Sequence, residues 1–127
     1  MALLFRLILL VVIVFLLYTA IKYMLSPRRK LELAHEQGKF YFLDDPKNIR
    51  KNFLLTYNGV LFEGEKYLGT TERSFEVVSI FIWPKNIADL KGLKRDDFLK
   101  IEAAIKKQYP ASAIDWKSPV KEFLNRD

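Results

Sequence analysis

The chain has 127 residues, a formal net charge of +6, half its side chains hydrophobic, and no cysteine. That length fits one domain of the usual ~100–150 residues behind an N-terminal segment, and the missing cysteines exclude disulfides, thiolate metal sites and thiol nucleophiles. The charge argues against nucleic acid once it is located. Residues 1–30 carry Arg6, Lys22, Arg28, Arg29 and Lys30 with no acid, while residues 31–127 hold 16 basic and 15 acidic side chains. A nucleic-acid binder carries its basic excess on the folded domain. Here the excess sits in a collar, where each Lys or Arg near an anionic leaflet contributes roughly 1 kcal/mol.

Ala2 to Leu25 is apolar except for Arg6 and Lys22. As a helix this run is about 36 Å long, enough for a ~30 Å hydrocarbon core, with both cations near its ends where their stems can snorkel. Tyr18 and Tyr23 stand toward the second end, as interfacial aromatics do. A cleavable signal peptide needs a small-x-small site, and Tyr18-Thr19-Ala20 is a poor one. The expectation is an uncleaved single-pass anchor over 1–25 in the cell membrane. The positive-inside bias of Lys22, Arg28, Arg29 and Lys30 puts the N-terminus outside and the body in the cytoplasm.

Residues 26–38 read as a basic juxtamembrane helix, with Ser26 as N-cap, Pro27 at the first helical position and Gly38 as its stop; the alternative is one anchor helix kinked at Pro27. Three cations in a first turn oppose the macrodipole, so Arg28, Arg29 and Lys30 suit lipid head groups better than helix stability. The body, 39–127, opens with the β-like run Phe40–Leu43 and a helical turn over Lys47–Lys51 behind Asp45-Pro46. Asn58-Gly59 between two apolar runs predicts a type I′ hairpin. Its second strand continues to Leu68, and Phe75–Trp83 returns as a third, apolar on both faces: Phe75, Val77, Phe81 and Trp83 on one, Val78, Ile80 and Ile82 on the other. A strand of that kind belongs inside a sheet covered, at least in part, on both sides. Asn86 caps a short helix closed by Gly92. Asp96–Tyr109 is an amphipathic helix with the stripe Phe98, Ile101, Ile105 and Tyr109. Ala113–Trp116 adds an extended segment, and Ser118-Pro119 opens a last helical turn through Leu124. The fold class is α+β: a transmembrane helix, then an antiparallel meander of three to five strands packed against a C-terminal amphipathic helix.

Chemistry is sparse. His35 is the only histidine and has no triad or metal partners at a useful spacing. Asp44-Asp45 and Glu63/Glu65 are carboxylate pairs that read more simply as a turn cap and a wet strand face. The glycines of Phe62–Thr71 match no phosphate or dinucleotide loop; Gly64 marks a bulge or a close backbone contact. Trp83 and Trp116 are core or interface anchors. No cofactor, metal or small-molecule substrate is expected, and no enzyme.

Ser26–Ala34 (SPRRKLELA), Phe42–Asp45 (FLDD), Phe62–Thr71 (FEGEKYLGTT) and Ile114–Pro119 (IDWKSP) resemble segments of the sigma-W pathway protein family of bacilli. The resemblance implies a bacterial inner-membrane protein affecting the sigma-factor response to envelope stress, and it brings no active-site residues. The leading function is a regulatory adaptor at the cytoplasmic face of the bilayer that binds another protein. An exposed sheet edge bordered by Asn58, Gly59, Glu63, Glu65 and Tyr67 would be its partner surface. The alternatives are an anionic-lipid sensor using Arg28, Arg29 and Lys30, and a carboxylate enzyme using Asp44, Asp45, Glu63 or Glu65.

Overall fold

The computed structural model describes residues 1–125; Arg126 and Asp127, the end of the 39–127 body, lie outside the described residues. The elements run α1 (Ala2–Met24), α2 (Pro27–Gln37), β1 (Tyr41–Leu43), β2 (Phe53–Tyr57), β3 (Val60–Thr70), β4 (Phe75–Pro84), a 3₁₀ turn (Ile87–Leu90), α3 (Arg95–Gln108), β5 (Ala113–Trp116) and α4 (Val120–Asn125). One five-stranded sheet holds the strands in chain order. β1 to β4 form the expected antiparallel meander, and β5 joins β4 in parallel. The parallel edge follows from α3, a crossover that returns the chain to the end where β4 began. The architecture is α+β.

α1 is a 23-residue apolar helix with no residue buried by the rest of the chain, long and apolar enough to cross a membrane. It does not run on into α2. Ser26 is extended, its Oγ accepts the Arg29 N–H at 3.3 Å, and Pro27 follows at the first helical position. Gly38 ends α2 in the left-handed region at φ 69°, where the Lys39 N–H can turn back to the Ala34 carbonyl at 2.8 Å.

The core lies on one face of the sheet. Phe53, Leu55, Phe62, Ile80 and Ile82 pack there against Phe98, Ile101 and Ile105 of α3. Each such side chain contributes about 1.5–3 kcal/mol when fully buried. Trp116 stands edge-on to Phe62 and Phe98, with centroids at 5.7 and 5.2 Å, and its indole N–H donates to Glu102 Oε1 at 2.6 Å. Gly64 is the close contact expected of it: a Cβ there would fall 2.1 Å from Phe53 Cζ. On the opposite face α2 buries Leu31 and Ala34, packing chiefly on β1 and β2.

Two local expectations are corrected. Lys47–Lys51 forms successive turns and no helix. The Asn48 and Lys51 amides donate to the Asp45 and Asn48 carbonyls, and those two carbonyls also accept from Lys66 Nζ at 3.1 Å each, so the loop wraps a buried ammonium. In β4 strict alternation fails. The register shifts beside Tyr67 and Leu68, so that Tyr67 opposes Ser79 while Leu68 opposes Val77. Val78 is the extra residue, and Val77 joins Ile80 and Ile82 in the core while Phe81 and Trp83 stay on the other face.

Candidate functional site

Along β3 the strand period of two sorts the side chains. Val60, Phe62, Gly64 and Lys66 point into the core and are buried; Leu61, Glu63 and Glu65 point the other way and are half-buried, and Tyr67 is 48% exposed. The register sets Trp83 opposite Glu63, Phe81 opposite Glu65 and Ser79 opposite Tyr67, and Asp115 of β5 lies beside Phe81. The Phe81 and Trp83 rings lean together with centroids 5.8 Å apart. α2 packs chiefly on β1 and β2, and beside it this face of β3, β4 and β5 carries carboxylates and half-buried aromatic rings.

Its electrostatics are lopsided. Glu63 is satisfied by Lys85 Nζ at 3.2 Å and Asn52 Nδ2 at 3.3 Å. Glu65 accepts the Tyr67 hydroxyl, a bond that holds the Tyr67 proton and raises its pKa. Neither Glu65 nor Asp115 has a cation within ion-pair distance among the described residues.

Glu63, Glu65 and Tyr67 thus come together, but not at an edge strand: β3 is the middle of the sheet, and β1 and β5 are its edges. An edge opens only locally. β2 begins at Phe53, opposite Gly64, so among the described residues Glu65–Thr70 has β4 on one side and no strand on the other. Leu68 and Phe75, 53% and 71% exposed, rim a groove of about 660 Å³ beyond it, walled by Ile49, Val77 and Tyr109. Asn58 and Gly59 form the turn at the other end of β3, with φ of 52° and 84°. That turn is roughly 23 Å of strand from Tyr67, so the structure does not unite it with the other three.

Lys66, unremarked in the sequence, is the best-connected side chain of the body. Its ammonium has no exposed surface and donates to Asp44 Oδ1 at 2.7 Å as well as to the Asp45 and Asn48 carbonyls. Three donors meet three acceptors. Asp44 accepts the Tyr109 hydroxyl on its other oxygen, and burial first, then that bond, pushes the Tyr109 pKa up. The cluster ties the loop to β3 and to the end of α3. Strand parity was the available signal, because Lys66 continues the inward series Val60, Phe62, Gly64. Asp44 is therefore more than a turn residue, whereas Asp45 caps as expected, accepting the Lys47 N–H at 3.2 Å.

Arg28, Arg29 and Lys30 occupy the first turn of α2. Glu32 reaches back to Arg29 at 3.6 Å and Arg28 at 4.0 Å, and Arg28 remains 78% exposed. A second cavity, about 400 Å³, opens between this turn and the β1–β2 loop; Asp44 and Asp45 line it, and Glu63 and Glu65 do not.

The family model described as sigma-w pathway protein YsdB matches residues 27–127, the chain from the first residue of α2 onward. The sigma-w pathway protein YsdB of Bacillus subtilis (strain 168) is 40% identical over 116 residues, covering 91% of this chain and 89% of that protein. No solved structure matches. With the match running over the whole sheet, both flanking helices and the basic turn, the chain belongs to the sigma-w pathway protein YsdB family.

Proposed function

We propose that the protein is a non-enzymatic adaptor of the sigma-W pathway, anchored by α1 in the cell membrane with its body in the cytoplasm, and that it acts by docking a protein partner on the aromatic and acidic sheet face of β3 and β4. The observation that carries this reading is the row Glu63, Glu65, Tyr67 beside Phe81 and Trp83, aromatic and acidic at once, half-buried along most of its length and exposed at Tyr67. Large rings, with the Glu65 and Asp115 carboxylates lacking a cation within ion-pair distance among the described residues, fit a partner segment that offers apolar and basic side chains, the rings supplying anchors and the acids orientation. The open flank of β3 at Glu65–Thr70 adds backbone groups that an extended segment of the same partner can pair with. The non-enzymatic part is supported by Asp44, the most enclosed carboxylate of the candidate set, whose two oxygens are held by Lys66 and Tyr109.

The test is a sigma-W-dependent reporter in cells carrying Glu65→Lys with Tyr67→Ala, against Lys106→Ala on the far side of α3. Both variants must reach the membrane fraction at the parental level. Loss of the reporter response in the face variant alone is expected. A parental response from that variant removes the sheet face as the working surface.

A further inference from the structure

We propose that the cavity between the first turn of α2 and the β1–β2 loop binds the phosphate of a membrane phospholipid. This inference rests on the anchored reading above. Arg28 lies four residues past Met24, the last residue of α1, so even a fully extended chain keeps it within about 14 Å of the helix end. The polar head-group layer adds roughly 5–8 Å on each side of the hydrocarbon core. With α1 across the bilayer, the mouth of the cavity opens at or just below the lipid phosphates.

The lining carries the matching chemistry. Arg28 enters from α2 and Lys51 from the loop, two cations on separate elements facing one space of about 400 Å³. Lys51 has no carboxylate within ion-pair distance among the described residues, and Arg28 meets Glu32 only at 4.0 Å. Of the two acids in the wall, Asp44 is neutralised by Lys66 at 2.7 Å, which leaves Asp45 alone against two cations. A guanidinium fork and an ammonium are the usual pair for a phosphodiester. Leu43 and Leu54 offer an apolar wall to the glycerol and first methylenes. Arg29 and Lys30 do not line the cavity, so the site differs from a diffuse attraction to the whole collar.

The full chain in dodecyl maltoside would be titrated calorimetrically with dihexanoyl phosphatidylglycerol and, separately, with inorganic phosphate. Saturable binding of the lipid is expected, with Arg28→Gln/Lys51→Gln weakening it about tenfold or more, the loss of charge-assisted bonds worth at least 1.4 kcal/mol. Arg29→Gln/Lys30→Gln should cost less than about threefold. Equal losses from the two double variants would reduce the site to collar electrostatics, no loss from Arg28→Gln/Lys51→Gln would remove it, and inorganic phosphate binding as well as the lipid would reassign it to a free anion. Carbonate extraction of native membranes separates the two levels: release of the chain overturns the anchored reading itself, whereas retention with unchanged titrations overturns the cavity alone.

Discussion

The two halves of β3 share one strand and differ in everything around it. From Val60 to Lys66 the inward side chains are buried, β2 pairs as far as Gly64 and β4 from Phe62 onward, and the loop 44–48 is stitched to Lys66 just past the end of β2. From Tyr67 to Thr70 only β4 remains alongside, a bulge breaks the register, and Tyr67 and Leu68 stand about half exposed. Stability is therefore concentrated in the first half, and the second is free to carry a surface function. Substitutions in the two halves should divide along the same line.

The largest effect is expected at the boundary. Lys66→Ala strands the Asp44 carboxylate among groups that cannot hydrate it, and breaking a buried pair from one side costs about 3–5 kcal/mol. Urea unfolding of the detergent-solubilised full chain, followed by tryptophan fluorescence, would measure it. Combining Lys66→Met with Asp44→Asn should return much of the loss, since no uncompensated charge is then left inside. A Lys66→Ala chain within 1 kcal/mol of the parent would mean that the loop opens to water at little cost.

Gly64→Ala comes next. Its new methyl would lie 2.1, 2.4 and 2.7 Å from three ring carbons of Phe53, and Phe53 is fully buried, so the ring cannot swing into solvent. Overpacking of this kind costs about 1–3 kcal/mol. By contrast Tyr67→Ser and Leu68→Ser in the open half should stay within about 0.5 kcal/mol of the parent, as exposed positions usually do. Comparable losses in both halves would dissolve the distinction.

Where the sequence was legible, the cause was local. Ser26-Pro27 and Gly38 bound α2 because caps act within a few residues, and Asn58-Gly59 sets its turn because both positions need positive φ. The stripe of α3 named its own core face. What stayed hidden depends on distance along the chain. Asp44 meets Lys66 across 22 residues and Tyr109 across 65, so neither pairing leaves a spacing signature. The bulge at Val78 breaks the alternation by one residue, which moves Val77 to the core beside Ile80 and Ile82, while Phe81 and Trp83 stay half-buried on the other face. The candidate face was half legible: Glu63, Glu65 and Tyr67 share a strand face by parity alone, whereas joining them to Asn58-Gly59 ignored the length of β3 between them.

The smallest effect belongs to the closed half and is a matter of pH. Tyr57, beside the hairpin turn, donates its hydroxyl to Asp97 Oδ1 at 2.8 Å, and Asp97 Oδ2 accepts the Lys94 N–H at 2.7 Å at the start of α3. The Lys94 amide first, then the Tyr57 hydroxyl, holds the Asp97 carboxyl below its ordinary range, and the same bond to Asp97 holds the Tyr57 proton and raises its pKa. A depressed carboxyl adds stability that is present above its ordinary pKa of about 3.9 and fades as pH falls through the lower folded value. A raised phenol adds stability that is present below its ordinary pKa of about 10 and fades as pH rises through the higher folded value. The strap between β2 and α3 should therefore contribute evenly from about pH 4 to pH 10 and weaken on both sides. Tyr57→Phe keeps the ring and removes the bond, so its unfolding midpoint should lie below the parent's by a constant margin across that window and approach it at both extremes. A Tyr57→Phe chain as stable as the parent at every pH would show that the ring packing, and not the hydroxyl, joins the hairpin to the helix.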